Sequence, residues 1–267
     1  MTLRFARVAV GLAVEDPAVL TPPVVHGLVA SWFDDRLGDL GWAEVGKSGH
    51  ESRIKPYSVT PPYRADDGTP SVELRLLDDR LVDAIGRSVR AGRPQRVAPE
   101  SVQRVKVDPD WNSSPEEVLE AADVQPQTIH FVSPTVVRHR WRGERGAPLL
   151  VEPLPEPRLI VGGLRRWWNV FGRGERVPMS QTQAPALDLR RTPPVVVSAD
   201  IRTVRVPSGP EHLPTAGFVG SIEIGLAGPV RDPDRRALAA IVGLAPWSGC
   251  GPYTAWGMGV CEVGPAV

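Results

Sequence analysis

The chain has 267 residues, of which 42% are hydrophobic and 23% charged, a composition typical of folded globular proteins and not of disordered ones. Its 31 basic and 31 acidic residues balance, so the net charge alone does not indicate a nucleic-acid partner. The two cysteines, Cys250 and Cys261, are too few for a disulfide framework or a four-ligand zinc site. The sequence lacks both a signal-peptide core and an apolar run of about 18 residues, so we expect a cytoplasmic protein that does not span a membrane.

Positive charge is concentrated in the second half of the chain. Residues 138–205 contain 13 arginines and no lysine against six acidic residues, whereas residues 1–137 contain 15 basic and 20 acidic residues. A local excess of arginine creates a positive field even in a neutral protein. The second half is therefore predicted to hold the positive field.

Predicted strands and helices alternate along the first half. Apolar residues at i, i+3, i+4 and i+7 from Val25 to Trp32 indicate an amphipathic helix, and alternation from Val72 to Leu76 indicates a strand. In chain order, the predicted elements are a strand over 4–14, a helix from Pro22 to about Gly38, strands over 57–64 and 72–76, a helix from Leu81 to Gly92 and a strand over 97–107. This order is βαββαβ, with the two middle strands forming a hairpin.

The same order repeats after a polar, proline-bearing stretch over 108–127 that contains a short predicted helix at 115–122. The predicted elements are a strand over 128–140, a helix over 159–171, strands over 195–206 and 218–226, a helix over 232–245 with Asp232 as its N-cap, and a strand over 253–263. The predicted fold class is α+β, with two tandem ferredoxin-like domains over 1–110 and 127–267, each an antiparallel sheet with helices on one face.

A glycine-rich loop precedes the last predicted strand. Gly249, Gly251, Gly257 and Gly259 punctuate the segment Leu244–Val260. Glycine adopts positive φ and allows backbone N–H groups to approach the phosphates of a ligand closely. Glycines that only let the chain bend would explain the same pattern.

Four segments occur in an order that is typical of one protein family. They are Ser114–Leu119 (SPEEVL), Phe131–Arg138 (FVSPTVVR), Pro157–Asn169 (PRLIVGGLRRWWN) and the glycine-rich loop. Together with the repeated βαββαβ order, they make the chain resemble the sixth CRISPR-associated protein family, endoribonucleases of the RAMP superfamily that process CRISPR repeat RNA. The resemblance covers nearly the whole chain. It implies cleavage of precursor CRISPR RNA within its repeats by the RNA's own 2′-hydroxyl, without metal or cofactor, leaving a 2′,3′-cyclic phosphate and a 5′-hydroxyl.

The implied reaction needs a base near the 2′-hydroxyl, an acid near the leaving 5′-oxygen and positive charge on the phosphorane between them. In the family a catalytic histidine usually follows the first helix, a place that His50 occupies here. An imidazole can take or give a proton near neutral pH. Lys55 is the candidate for stabilising the developing charge, with Lys47 and Arg53 as alternatives that also contact RNA. Tyr57 is a weaker candidate.

The sequence leaves open whether His50 or His26 is the catalytic histidine. His50 lies in a charged loop where a solvated imidazole without a role is also common. His26 lies on the first predicted helix, where packing or capping is the usual role of an imidazole. His130 and His139 flank Ser133–Thr135, and strand alternation points them away from the core, toward RNA or water. We expect Ser133–Thr135 to set the strand geometry.

Arginines and tryptophans interleave where phosphates and unstacked bases would be held. The arginines of this pattern are Arg138, Arg140, Arg142, Arg145, Arg165 and Arg166. Trp167 and Trp168 follow directly, and one of them is expected in the core. The predicted RNA-binding residues are Lys47, Arg53, Arg138, Arg140, Arg165 and Arg166, together with the four loop glycines. Because the chain is neutral overall, binding is expected to depend on this local positive surface.

Two other functions compete with the endoribonuclease. One is a non-catalytic RNA-binding subunit of the same superfamily within a CRISPR effector complex, which would make other subunits of that complex partners. The other is a nucleotide-dependent enzyme with the glycine-rich loop around a phosphate, which is disfavoured because the sequence has no P-loop or dinucleotide fingerprint. The sequence leaves open whether the chain is a monomer or a homodimer.

Overall fold

The structure is a computed structural model that describes residues 3–12, 14, 17–33, 54–90, 102–140, 149–172, 187–206 and 216–265. In the N-terminal unit the elements are β1 (Phe5–Leu12), α1 (Pro22–Phe33), β2 (Tyr57–Val59), β3 (Tyr63–Arg64), β4 (Pro70–Leu76), α2 (Arg80–Arg90) and β5 (Val102–Ser113). The main strands form an antiparallel sheet in the order β2-β4-β1-β5, and β3 also pairs with β4.

The C-terminal unit repeats this arrangement. Its elements are α3 (Pro115–Glu120), β6 (Gln127–Thr135), β7 (Val137–Arg140), β8 (Leu149–Glu152), α4 (Pro157–Trp167), β9 (Pro194–Arg205), β10 (Ala216–Leu226), α5 (Asp232–Val242), α6 (Ala245–Ser248) and β11 (Cys261–Pro265). The sheet order β11-β6-β10-β9 matches that of the first unit, and β7 and β8 form a separate two-stranded ribbon. The prediction of two tandem ferredoxin-like domains is therefore confirmed. The boundaries 1–110 and 127–267 stay predictions.

The apolar faces of the helices cover one side of each sheet. On α1 the predicted helical stripe is buried, with Trp32 only 1% exposed. The core of the N-terminal unit extends into the other unit, because Trp168, Phe171 and Trp247 belong to the same apolar cluster. The ring centroids of Phe5 and Trp247 lie 5.3 Å apart. The two units therefore share one interior where they meet.

A buried arginine links the two units. Arg75 on β4 pairs with Glu73 beside it and with Glu262 on β11. Its guanidinium also donates to the carbonyl oxygens of Pro246 at 2.9 Å and Cys261 at 2.7 Å. A buried guanidinium is tolerated only when its donors are satisfied in this way, so Arg75 fixes β4 against the C-terminal unit.

Cys250 and Cys261 pack against each other as free, buried thiols. Their Sγ atoms lie 3.6 Å apart. The hydrogen bond to Cys250 and burial raise the pKa of the Cys261 thiol well above its usual value. Both cysteines therefore act as small core residues at the base of the glycine-rich loop.

Several predicted boundaries were wrong. The strand predicted over 253–263 begins only at Cys261, and the residues before it form a 3₁₀ turn, Thr254–Trp256, and a loop. The strand predicted over 128–140 breaks into β6 and β7, which belong to different sheets. The helix predicted over 232–245 ends at Val242, and its N-cap is Arg231 instead of Asp232.

Other differences concern the polar stretches. β5 continues through Ser113, past the predicted end at 107, because it pairs with β1 as far as Phe5. β8 has no counterpart among the predicted elements. Residues 34–50 and 91–101, which contain the predicted ends of the first two helices, lie outside the described residues. Within the described part of the chain, no helix is long and apolar enough to cross a membrane.

Candidate active site

A cleft of about 480 Å³ lies where the two units meet. The N-terminal unit contributes His26 from α1 and the segment Ile54–Lys55 before β2. The C-terminal unit contributes residues of β7, one face of α4 and the glycine-rich loop from Gly249 to Trp256. The cleft therefore brings together predicted catalytic and predicted RNA-binding residues that are far apart in the sequence.

His26 is held on two sides by the glycine-rich loop. Its ring stacks on the indole of Trp256, with centroids 4.2 Å apart and planes inclined by 16°. Its Nδ1 lies 3.2 Å from the carbonyl oxygen of Ala255. Because a carbonyl oxygen can only accept, Nδ1 carries the hydrogen, and in the neutral ring Nε2 is the nitrogen that can take up a proton.

Lys55, which the sequence predicts to stabilise the developing charge, also lines the cleft, two residues before β2. Tyr57, the weaker catalytic candidate, is fully buried and packs on Phe33 with ring centroids 4.8 Å apart, so it is a core residue. His50, Lys47 and Arg53, which the sequence also predicts as site residues, lie outside the described residues.

Arg138 and Tyr253 form a pair on the C-terminal wall of the cleft. Nη1 of Arg138 donates to the Tyr253 hydroxyl at 3.3 Å. The guanidinium carbon lies 5.2 Å from the centroid of the same ring, within the range of a cation–π contact. Arg138 is exposed, whereas Tyr253 is buried apart from a small fraction. The pair presents a cation and a phenol at the surface of the cleft.

The predicted arginines on α4 separate into two environments. Arg166 is exposed and lines the cleft. Arg165 instead donates to the carbonyl oxygen of Leu187 at 3.0 Å, a contact within the protein. The same alternation resolves the two tryptophans, since Trp168 is 1% exposed in the core and Trp167 lines the cleft. The described residues include the backbone of Arg140 but not its side chain.

The four glycines of the loop have positive φ, and at three of them, Gly249, Gly251 and Gly259, a Cβ would also lie less than 3.0 Å from a neighbouring atom. A Cβ at Gly259 would lie 1.9 Å from the carbonyl oxygen of Cys250, and one at Gly251 would lie 2.3 Å from that of Val136. The N–H groups of Gly249 and Gly259 donate to the carbonyls of Ala245 and Pro134. Glycine at these places therefore gives the loop its shape, and Gly249 and Gly251 also line the cleft.

The Ser133–Thr135 segment anchors this loop. The hydroxyl of Ser133 accepts the N–H of Val260 at 2.9 Å, and the carbonyl of Pro134 accepts that of Gly259 at 3.0 Å. Ser133 and Thr135 are buried, so the prediction that the segment sets local geometry is confirmed. His130 lies on the other strand face and its Nδ1 is 2.7 Å from the hydroxyl of Ser221.

The aromatic residues of the loop are site residues that the sequence prediction does not include. The predicted strand over 253–263 contains Tyr253 and Trp256, although they lie between the two glycine pairs that turn the chain into the cleft. Two aromatic residues between the pairs Gly249/Gly251 and Gly257/Gly259 are the sequence pattern that indicates a loop with its side chains in the cleft. No group of three or more His, Cys, Asp or Glu side chains that could hold a metal occurs among the described residues.

Comparisons with known proteins show which proteins share this architecture. Residues 129–261, which include the C-terminal wall of the cleft and the glycine-rich loop, match the family model of the CRISPR-associated endoribonuclease Cas6. A Thermus thermophilus Cas6 solved as a product complex is similar over 100% of both chains, with a TM-score of 0.74 and 26% identity. No curated protein sequence matches the chain.

Two further structures are similar in fold. Another Cas6 product complex has a TM-score of 0.68 at 22% identity, covering 98% of this chain and 100% of its own. A Cas6-related protein from Pyrococcus furiosus has a TM-score of 0.51 at 12% identity, covering 97% and 98% of the two chains. From the family match over 129–261 and the similarity in fold over the whole chain, the conclusion is that this chain belongs to the CRISPR-associated endoribonuclease family Cas6.

Proposed function

We propose that the chain cleaves precursor CRISPR RNA within its repeats, in the cleft between the two units, without a metal ion. The observation that carries the proposal is that His26, Lys55, Arg138 and Arg166 line one cleft although they come from both units. Family membership supports RNA as the substrate, and the cleft supplies the groups that cleavage by a 2′-hydroxyl requires.

In this reaction the 2′-oxygen forms a bond to the adjacent phosphorus and the bond from phosphorus to the 5′-oxygen breaks. The base removes the 2′-hydroxyl proton, and an acid donates a proton to the leaving 5′-oxygen. The products are a 2′,3′-cyclic phosphate and a 5′-hydroxyl. With Nδ1–H held by Ala255, Nε2 of His26 is suited to exchange a proton with the RNA. Lys55 supplies positive charge for the phosphorane.

His50 belongs to the same proposal as a second imidazole. It precedes Ile54, a cleft residue, by four positions. Four residues of chain span at most roughly 14 Å, and this short separation in sequence is the reason for including His50 in the proposal. One histidine then acts as base and the other as acid, and separate substitutions assign them.

RNA is held in this proposal by the C-terminal wall. Arg138 and Arg166 are exposed on that wall, and a guanidinium can grip a phosphate with two parallel hydrogen bonds. Trp167 lies beside them and offers an aromatic face on which an unstacked base can stack. Gly249 and Gly251 add backbone at the cleft surface.

The test is cleavage of the cognate repeat RNA by the purified chain in EDTA, with analysis of the product ends. We expect an upstream fragment that ends in a cyclic phosphate and a downstream fragment with a 5′-hydroxyl. His26→Ala and His50→Ala are expected to slow cleavage on the order of 10²- to 10⁴-fold. His130→Ala is the matched control, because His130 bonds to Ser221 outside the cleft.

The outcomes separate the alternatives. Cleavage that stops in EDTA and returns with a divalent metal would contradict the metal-independent mechanism. Repeat RNA that binds tightly and is never cleaved would instead support a non-catalytic RAMP-superfamily subunit. Wild-type cleavage by both His26→Ala and His50→Ala would remove histidine from the mechanism.

A further inference from the structure

The turn Thr254–Trp256 of the C-terminal unit packs on α1 and β2 of the N-terminal unit. Its conformation is set independently of the histidine. The carbonyl of Tyr253 accepts the N–H of Trp256 at 2.9 Å, and Gly257 follows in the left-handed region with φ of 81°. A Cβ at Gly257 would touch Pro61 at 3.4 Å. The turn is therefore a preformed surface against which a side chain of α1 can rest.

His26 rests on this surface through two contacts that restrain different motions. Stacking on Trp256 fixes the plane of the imidazole. The hydrogen bond from Nδ1–H to the Ala255 carbonyl then selects one of the two ring orientations that differ by a 180° flip about χ2, and it also fixes the tautomer. The χ2 torsion of a histidine is otherwise broad, so the pair of contacts selects one orientation of Nε2 from many.

We propose that Trp256 and the carbonyl group of Ala255 are positioning groups for His26, so that the glycine-rich loop of one unit orients the acid–base group of the other. This inference rests on the proposed function, since it takes His26 as a catalytic residue. It adds a role for the loop that does not require contact between Trp256 and RNA. A displacement of about 1 Å at a reacting group can slow a reaction roughly 10²-fold, which gives positioning by the loop a measurable weight.

The experiment compares Trp256→Leu with wild type in single-turnover cleavage of repeat RNA and in RNA binding. We expect the cleavage rate constant to fall roughly 10²-fold while the dissociation constant for RNA stays the same. Trp256→Phe keeps an aromatic face under the imidazole and is expected to recover most of the rate. This conservative variant also keeps the test open if the leucine variant folds poorly.

Trp167→Leu is the matched control, since Trp167 lines the same cleft but stacks on Phe171 and not on the histidine. We expect it to weaken RNA binding and to keep this effect in a His26→Ala background. Trp256→Leu, in contrast, is expected to have no further effect on cleavage once His26 is alanine, because a positioning group acts only through the residue it positions.

A readout without RNA tests the geometry itself. The ring of Trp256 is expected to shift the carbon-bound imidazole proton resonances of His26 upfield in the wild-type protein. Trp256→Leu is expected to move them to the positions of an unstacked histidine, with unchanged resonances for His130.

The results that would overturn the proposal are distinct from those that would overturn the proposed function. Slower cleavage by Trp256→Leu in both the wild-type and His26→Ala backgrounds, with weaker RNA binding, would make Trp256 an RNA contact. Wild-type cleavage by Trp256→Leu together with loss of cleavage in His26→Ala would remove the positioning role alone. Wild-type cleavage by His26→Ala would remove the catalytic role of His26 and the positioning role with it.

Discussion

The two units have the same strand order but bury their sheets differently. Every residue of β2 and β4 in the N-terminal sheet is buried, whereas the strands that hold the same places in the C-terminal sheet, β9 and β10, are partly or fully exposed over much of their length. In β4 the apolar residues face the helices, whereas Glu73 and Arg75 lie on the opposite face, where Arg75 bonds to the C-terminal unit. The N-terminal sheet is thus covered on both sides at β2 and β4, while the same part of the C-terminal sheet stays partly exposed.

The two units also contribute different kinds of side chain to the cleft. The N-terminal unit contributes an imidazole and an amine, His26 and Lys55, and the C-terminal unit contributes guanidinium groups, aromatic rings and the glycine-rich loop. A repeated fold does not imply a repeated role, because each unit presents different side chains to the shared cleft. The predictions below test whether chemistry and RNA binding divide between the units in this way.

The largest expected effect concerns the contact between the units. Arg75→Met is expected to lower the free energy of unfolding by about 3–5 kcal/mol, because it removes a buried guanidinium that bonds to Glu73, to Glu262 and to two carbonyl oxygens, and leaves Arg7 as the remaining partner of Glu73. Chemical denaturation measures the change. Arg4→Met is the control, since the Arg4–Glu117 pair is exposed and is expected to contribute about 0–1 kcal/mol. Equal losses in both variants would contradict the role of Arg75 as the link.

The next effect concerns the chemistry assigned to the N-terminal unit. Lys55→Met is expected to slow single-turnover cleavage roughly 10²- to 10³-fold, because the developing charge loses its cation. Lys55→Arg keeps the charge and is expected to retain part of the rate. Weaker RNA binding with an unchanged rate constant in Lys55→Met would place Lys55 in RNA binding instead.

The shape of the glycine-rich loop comes third. Gly259→Ala is expected to destabilise the protein by at least about 1–3 kcal/mol, because φ is positive and the new Cβ would meet the Cys250 carbonyl. Gly162→Ala, in α4 with nothing within 4 Å of the new Cβ, is expected to stabilise it by about 0.5–1 kcal/mol. Thermal unfolding measures both. A neutral Gly259→Ala would contradict the packing of the loop.

The smallest effect concerns RNA binding by the C-terminal unit. Arg166→Gln is expected to lower the slope of log affinity against log salt by about 0.7–1, the contribution of one phosphate contact. Arg165→Gln is the control on the same helix, since Arg165 bonds to the Leu187 carbonyl. An equal reduction of the slope in both variants would show that the helix carries no preferred phosphate contact.

Much of this fold could be predicted from hydrophobic periodicity, because each unit buries one face of its helices and strands. The stripe from Val25 to Trp32 and the apolar positions of β4 are buried as the sequence predicts, but Glu73 and Arg75, which alternation places on an exposed face, are buried too. Periodicity failed where backbone conformation decides the structure. Residues 253–260 alternate like a strand, yet glycines at positive φ turn them into a loop.

The site was predictable in composition but not in geometry. Lys55 and Arg166 were identified by type and family position, and they line the cleft. The division between Trp167 and Trp168, or between Arg165 and Arg166, depends on the rotation of α4 against its neighbours, which neighbouring residues in a sequence do not reveal. The contact of His26 with Trp256 joins residues from the two ends of the chain, and no local pattern encodes it.

In the proposed division of roles, the N-terminal unit supplies the catalytic groups and the C-terminal unit binds the RNA. The decisive measurement is single-turnover cleavage together with RNA binding, in EDTA, for His26→Ala and Arg166→Gln. We expect His26→Ala to lower the rate constant on the order of 10²- to 10⁴-fold with unchanged affinity, and Arg166→Gln to weaken affinity with little change in the rate constant. An unchanged rate constant in His26→Ala, with the loss appearing in affinity instead, would contradict this division of roles.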